Sequence, residues 1–169
     1  MRKRNATTVF LKERIADALI RLMALKPFDK ITIQEIVEQA QVGRATYFRN
    51  FSSKHEVITY KLIRLWTRWA EEHQFKDEDR YSLGKAEHFF AFNASIRDLH
   101  QRIYAAGLQA TIYDAFYQVM MPPPGADALE LYRDRFLSYG LFGLLDEWIK
   151  RGYRESPKEM AQMVVQSMV

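Results

Sequence analysis

The sequence predicts an all-α protein with a small helical head and a larger helical body. Apolar residues recur at three- and four-residue spacing along most of the chain. Glycine and proline are scarce, at 7 and 5 in 169 residues, and they fall where helices should stop. No segment alternates apolar and polar residues over a useful strand length.

The first helix is expected over residues 8–26, where Phe10, Ile15, Ala18, Leu19, Leu22 and Leu25 keep helical register with charges between them. Pro27 ends it, and Phe28-Asp29-Lys30 forms the connection. Thr32-Ile33-Gln34-Glu35 has the pattern of a capping box, opening a short helix to Ala40 that buries Ile36, Val37 and Ala40. Gln41-Val42-Gly43 interrupts it, and a second short helix runs from Arg44 to Asn50. Ser53-Lys54-His55-Glu56 is a further capping-box pattern, opening a helix through Trp66 and Trp69 to Glu72. The charge-dense stretch 74–81 reads as a loop. Helices follow at 82–94, 96–106 and 108–121, and Pro122-Pro123-Pro124-Gly125 breaks the chain. A long helix then covers 126–151, with Gly152 as its C-cap. Ser156-Pro157-Lys158-Glu159 opens a last helix that runs to the chain end.

Composition narrows the function classes. The absence of cysteine excludes a disulfide scaffold, a thiolate metal site and a cysteine nucleophile. No stretch approaches the roughly 18 apolar residues of a membrane span, and the basic N-terminus lacks the apolar run of a secretory signal. A cytoplasmic protein with no membrane partner is expected. His55, His73, His88 and His100 show no metal-ligand spacing, so neither a metal nor another cofactor is expected. Ser82-Leu83-Gly84-Lys85 matches one acyl-enzyme motif without its partner motifs, and no phosphate-binding glycine loop appears, so no enzyme is expected.

Charge is unevenly placed. Residues 1–65 hold 13 basic and 6 acidic side chains, a net +7, whereas the remainder holds 12 and 15, a net −3. A basic head beside an acidic body points to a polyanion partner for the head alone.

The two short helices and their three-residue break fit a helix-turn-helix unit backed by the first helix. The second of them, Arg44-Ala45-Thr46-Tyr47-Phe48-Arg49-Asn50, has small residues near its start, a cation in Arg44, a hydroxyl in Thr46 and both ring and hydroxyl in Tyr47. Lys54 adds a charge to the next helix N-terminus, while Phe48 and Phe51 suit a small core. Recognition helices meet the major groove through such N-terminal residues.

Residues 15–57 resemble the DNA-binding domain of the TetR/AcrR family of bacterial transcription regulators. The resemblance rests on the apolar helix Ile15 to Leu25, the threonine-capped helix Thr32 to Ala40, Val42, the run Ala45-Thr46-Tyr47-Phe48, Phe51 and Lys54. It implies groove contacts from Gly43, Arg44, Ala45 and Tyr47, and phosphate contacts from Thr46, Lys54, Thr32 and Ile33. Phe48, also placed on the DNA side, stands where the family often has tyrosine. Gln41 replaces the usual turn glycine, and Gly43 stands where serine is common. An N-terminal helix-turn-helix domain over 1–58 and a C-terminal effector and dimerisation domain over 59–169 follow from it.

In the body, Phe136-Leu137-Ser138-Tyr139-Gly140-Leu141-Phe142-Gly143-Leu144-Leu145 is apolar on every face of a helix, which calls for burial on more than one side. One face can pack within the chain while Phe136, Tyr139, Gly140, Gly143, Leu144 and Glu147 meet a second copy; the resemblance implies a homodimer paired through C-terminal helices. The aromatic helices at 82–121 offer Phe89, Phe92, Ile96, His100, Tyr104, Tyr113, Phe116, Tyr117 and Met120 as a pocket for a small apolar or aromatic effector, a composition that equally suits a core. The expected function is a ligand-responsive repressor binding a palindromic duplex operator as a dimer. The alternative is a coactivator or adaptor of the same fold, acting through protein partners with DNA binding weakened or lost.

Overall fold

A computed structural model describes residues 2–76, 86–121 and 125–167, with side chains described from residue 6 to 166 within those ranges. Nine α-helices and one 3₁₀ turn are present among the described residues: α1 (Arg2–Met23), the turn Phe28–Lys30, α2 (Ile33–Ala40), α3 (Arg44–Asn50), α4 (Lys54–Glu72), α5 (Ala86–Ser95), α6 (Arg97–Ala105), α7 (Ala110–Val119), α8 (Ala128–Lys150) and α9 (Pro157–Ser167). The protein is all-α. Most of the 74–81 stretch, the Ser82–Lys85 motif and Pro122–Pro124 lie outside the described residues.

Helix bounds and caps depart from expectation in places, and α1 begins at Arg2 rather than at residue 8. α1 stops at Met23 rather than 26, with Leu25 and Lys26 turning back onto the Leu22 carbonyl. The residue before Pro27 disfavours helical backbone, so the last turn unwinds ahead of it. In the second capping-box pattern, the Glu56 amide donates to Ser53 Oγ as expected, but the Glu56 carboxylate accepts from the amide and hydroxyl of Ser52 instead.

The chain groups into two compact units. The first comprises Met1–Arg64 and Arg102–Ala115, the second Leu65–Gln101 and Phe116–Val169. Residues 102–115 therefore group with the head, although sequence order puts them in the body. A head of about 60 residues buries little apolar surface alone, and Ile103, Leu108 and Ile112 add to the interior made by Ile15, Ala18, Leu19, Ile36, Val37, Ile58 and Leu62. The α1 stripe is narrower than its periodicity indicates: Phe10 and Leu25 are exposed.

Charged side chains tie α1 to α4. Lys61 Nζ lies 3.2 Å from Glu13 and 2.6 Å from Asp17, and Arg64 Nε donates to Glu13 at 2.7 Å. Burial alone would raise the Glu13 carboxyl pKa, but the Arg64 hydrogen bond and the Lys61 charge outweigh it and hold it below its ordinary value.

In the second unit, α8 ends in a paired closure: the Gly152 amide donates to Ile149 O and the Tyr153 amide to Trp148 O, each at 2.9 Å. Gly152 has φ +74°, the left-handed conformation that glycine adopts without a Cβ penalty. This closure returns Tyr153 against Trp148, with ring centroids 4.6 Å apart, and brings its hydroxyl to Nδ1 of His100. Trp148 packs edge-on against Phe90 of α5 and donates from Nε1 to Glu155 O at 3.0 Å. α9 opens on the expected reciprocal cap between Ser156 and Glu159.

His100 is 1% exposed, and burial lowers its pKa from 6.5 to about 4. The unfolded chain therefore binds a proton in that window that the folded chain refuses. Stability is full above pH 6.5 and declines as pH falls toward about 4, by as much as about 3 kcal/mol. Urea unfolding at pH 7.5 and pH 5 should show this loss, and His100→Gln should remove most of it; an unchanged pH slope in the variant would exclude His100 as its source.

Candidate nucleic-acid interface

The α2–α3 break is built by local hydrogen bonds. Gln41 closes α2 in the left-handed region at φ +53°, its amide donating to Glu38 O and the Val42 amide to Val37 O, each at 3.0 Å. A side chain at such a position costs roughly 1–2 kcal/mol relative to glycine. Here Gln41 Oε1 accepts from Arg14 Nη2 of α1 at 2.7 Å, which offsets part of that cost and pins the turn. Gly43 then caps α3 with no side chain, so Gly43, Arg44 and Ala45 form a smooth exposed start to the helix.

The seven residues of α3 divide into one inward and one outward face. Tyr47 is 0% exposed, whereas Phe48 is 52% exposed. Tyr47 is thus a core residue where a groove contact was expected, whereas Phe48 stands on the exposed side, as its DNA-side placement requires, and not in the core. Tyr47 packs with Phe51, four residues on, which is itself buried and lies 6.1 Å away between ring centroids. Residue 48 is turned about 100° from that face. Burial, with the Glu56 charge, raises the Tyr47 phenol pKa to about 12, and its hydroxyl has no hydrogen-bond partner among the described residues. Lys12 of α1 covers the other side of this cluster, its Nζ 5.0 Å from the Phe51 ring and 4.8 Å from Tyr60.

Arg44, Ala45, Phe48 and Arg49 point outward together, with the Arg44 guanidinium 5.6 Å from the Phe48 ring centroid. Arg49 is the residue that sequence reasoning overlooked. Its four-residue offset from Ala45 places it on the same exposed side of the helix as that residue. Thr46 is half-buried, and its carbonyl accepts from Asn50 Nδ2 at 2.7 Å.

Two expected phosphate ligands are engaged internally. Lys54 Nζ donates to the carbonyls of Phe28 and Ile31, each at 2.7 Å, and lies 4.3 Å from the Phe28 ring centroid. Burial lowers its pKa, opposed by Asp29 and Glu35. Lys54 thus clamps the 3₁₀ turn rather than standing free at the α4 N-terminus. Removing it as Lys54→Met leaves two part-buried carbonyls without their donor, so a loss of about 1–3 kcal/mol in urea unfolding is expected. The salt dependence of DNA binding should stay near wild type in that variant; a slope reduced by about one ion would return Lys54 to the phosphates.

Thr32 is committed in the same way. Its amide and hydroxyl both donate to Glu35 Oε2, at 2.8 and 2.9 Å, and its hydroxyl accepts the Glu35 amide at 3.2 Å. Lys26 pairs with the same carboxylate. The Lys26 hydrogen bond first, then those of Thr32, lower the Glu35 pKa from 4.5 to about 2. Ile33, next in the chain, is half-buried and its amide, first in α2, has no acceptor within the helix.

This head has the helix-break-helix geometry and outward basic α3 of a DNA reader. Residues 15–60 match the family model described as bacterial regulatory proteins, tetR family, and residues 89–169 match one described as transcriptional regulator C-terminal region. The chain belongs to the TetR family. It is therefore a DNA-binding transcription regulator and not an enzyme. No curated protein matches the chain.

In this TetR-family protein the expected effector and dimer residues lie as follows. Tyr104 and Tyr113 group with the first unit, whereas Phe89, Phe92, Ile96, His100, Phe116, Tyr117 and Met120 group with the second. His100 is taken by Tyr153 and is no free ligand handle. On α8, Phe136 and Tyr139 are 76% and 61% exposed, Gly140, Gly143 and Glu147 are exposed, and Leu144 is half-buried. Nothing lies within 4 Å of a Cβ built on either glycine. Leu129 and Tyr132, outside the expected set, extend the same stripe at 75% and 77% exposure.

Proposed function

We propose that this TetR-family regulator acts in the cytoplasm as a homodimeric, ligand-responsive repressor on a palindromic operator. The observation that carries the reading is the division of exposed surface. α3 turns Arg44, Ala45, Phe48 and Arg49 outward, and α8 turns out the row Leu129, Tyr132, Phe136, Tyr139, Gly140 and Gly143 at helical spacing. An apolar row of that length is more than scattered surface residues require and suits a partner helix. Pairing two copies about a two-fold axis presents two α3 helices to half-sites one helical turn apart, about 34–36 Å, or a larger multiple.

Arg44 reads base edges, Arg49 and Thr46 hold phosphates, and Phe48 packs on sugar or thymine methyl groups. Selection of bound duplexes from a random pool by the purified protein should return a palindrome. Arg44→Ala should then cost about 1–3 kcal/mol on that sequence while leaving binding to random duplex nearly unchanged. A non-palindromic consensus would remove the symmetric dimer from the mechanism. Failure to enrich any duplex would favour the adaptor reading.

A further inference from the structure

The inner face of α8 is apolar only in its C-terminal half. Leu145, Trp148 and Ile149 are buried there, but the same stripe carries Asp134 and Ser138 earlier in the helix, at 2% and 0% exposure. Their four-residue spacing places both side chains on one side of the helix. Asp134 Oδ1 and Ser138 Oγ are each buried with no hydrogen-bond partner among the described residues. Arg133 Nε stands 3.6 Å from Asp134 Oδ1, beyond hydrogen-bond distance, and its side chain is half exposed. Arg135 places its guanidinium 3.5 Å from the centroid of the Tyr117 ring, near the end of α7, and its Nη1 is also buried without an acceptor. Phe116, beside Tyr117, lies 5.2 Å from Phe89 of α5.

Buried acceptors are almost always satisfied, and leaving one unmet costs the full desolvation of the group. Two on one helix face, four residues apart, mark a place where a donor is missing. A second copy of the chain would meet α8 along its exposed row, which lies on other positions than Asp134 and Ser138. We propose that Asp134 and Ser138 are the recognition pair of an effector site, and that its ligand is a small organic ammonium. Its N–H groups donate to Asp134 Oδ1 and Ser138 Oγ, and its apolar body lies against the α7 aromatics. The inference rests on the ligand-responsive reading above and gives it a chemical class.

The test uses the full chain with phenethylamine as probe, and 3-phenylpropionate and 2-phenylethanol as anionic and neutral counterparts of similar shape. Calorimetry should show saturable binding of the amine, a raised Tm with amine present, and no competition from the carboxylate. Ser138→Ala should weaken the amine, and Asp134→Asn should weaken it by at least about tenfold, close to 1.4 kcal/mol. The ligand-free Tm of Asp134→Asn should stay near wild type, since the Arg133 ion pair that it gives up is long and half exposed. No saturable amine binding, equal binding in Asp134→Asn, equal binding of the carboxylate, or a sharply lower ligand-free Tm in Asp134→Asn would each overturn the site, leaving water or a structural role for the pair. The effect of the amine on operator affinity separates the two readings. Binding without release of DNA keeps the site and removes ligand response, whereas intact operator binding with no amine bound removes the site alone.

Discussion

Replacing Tyr47 by alanine should destabilise the protein by about 3–5 kcal/mol and remove operator binding with it, as for other large aromatic truncations in a core. Tyr47→Phe should leave both properties at wild-type level or improve stability slightly. The ring fills the interior between α3 and its neighbours and meets Phe51 and Phe48, at 6.1 and 5.4 Å between centroids. The hydroxyl is buried without a partner, so deleting it forfeits no hydrogen bond and spares a desolvated polar group. Urea unfolding together with fluorescence anisotropy on a labelled operator checks the pair. A Tyr47→Phe protein with unchanged stability but operator affinity reduced more than about tenfold would mean that the hydroxyl touches DNA.

Charging the exposed row of α8 should have the next largest effect. Phe136→Glu with Tyr139→Glu places two carboxylates where two copies would meet, and light scattering should then report a monomeric mass for a chain whose Tm is nearly unchanged. Both side chains stand mostly in solvent, so substitution at these positions perturbs the folded monomer by little, within about 0.5 kcal/mol each. Operator affinity should fall by about two to four orders of magnitude, because the second half-site is no longer held at high effective concentration. A dimeric mass retained by the double variant, or a wild-type chain that is itself monomeric at micromolar concentration, would place the interface elsewhere.

The local signals in the chain proved reliable where the chemistry is short-range. Thr32 with Glu35 and Ser156 with Glu159 form reciprocal caps within three residues, and they set the starts of α2 and α9 as Gly43 sets that of α3. Gly152 ends α8 because a left-handed residue is needed there and glycine supplies it. The helix-turn-helix unit and its basic charge were legible for the same reason, since both are properties of contiguous sequence.

The inward phase of α3 was not legible. Tyr47 and Phe48 are adjacent, and Phe51 pairs equally well at four residues with the first or at three with the second. Only the packing of the whole head chose Tyr47, and that choice took an expected groove contact into the core. Lys54 shows the same limit from another side. Its sequence position at a helix start suggests a phosphate, yet the carbonyls of Phe28 and Ile31, more than twenty residues away in the chain, hold it.

By itself, then, the sequence determined the all-α class, the capped helix starts, the basic head and the family, because each depends on neighbours within a few residues or on composition. The tertiary structure alone decided which aromatic of α3 faces in and which cations stay free. It also decided that Asp134 and Ser138 bury oxygens without hydrogen-bond partners among the described residues, on a helix whose other side is exposed. Those outcomes depend on which distant atoms fill or leave empty the space around a side chain, and helical periodicity carries no record of that space.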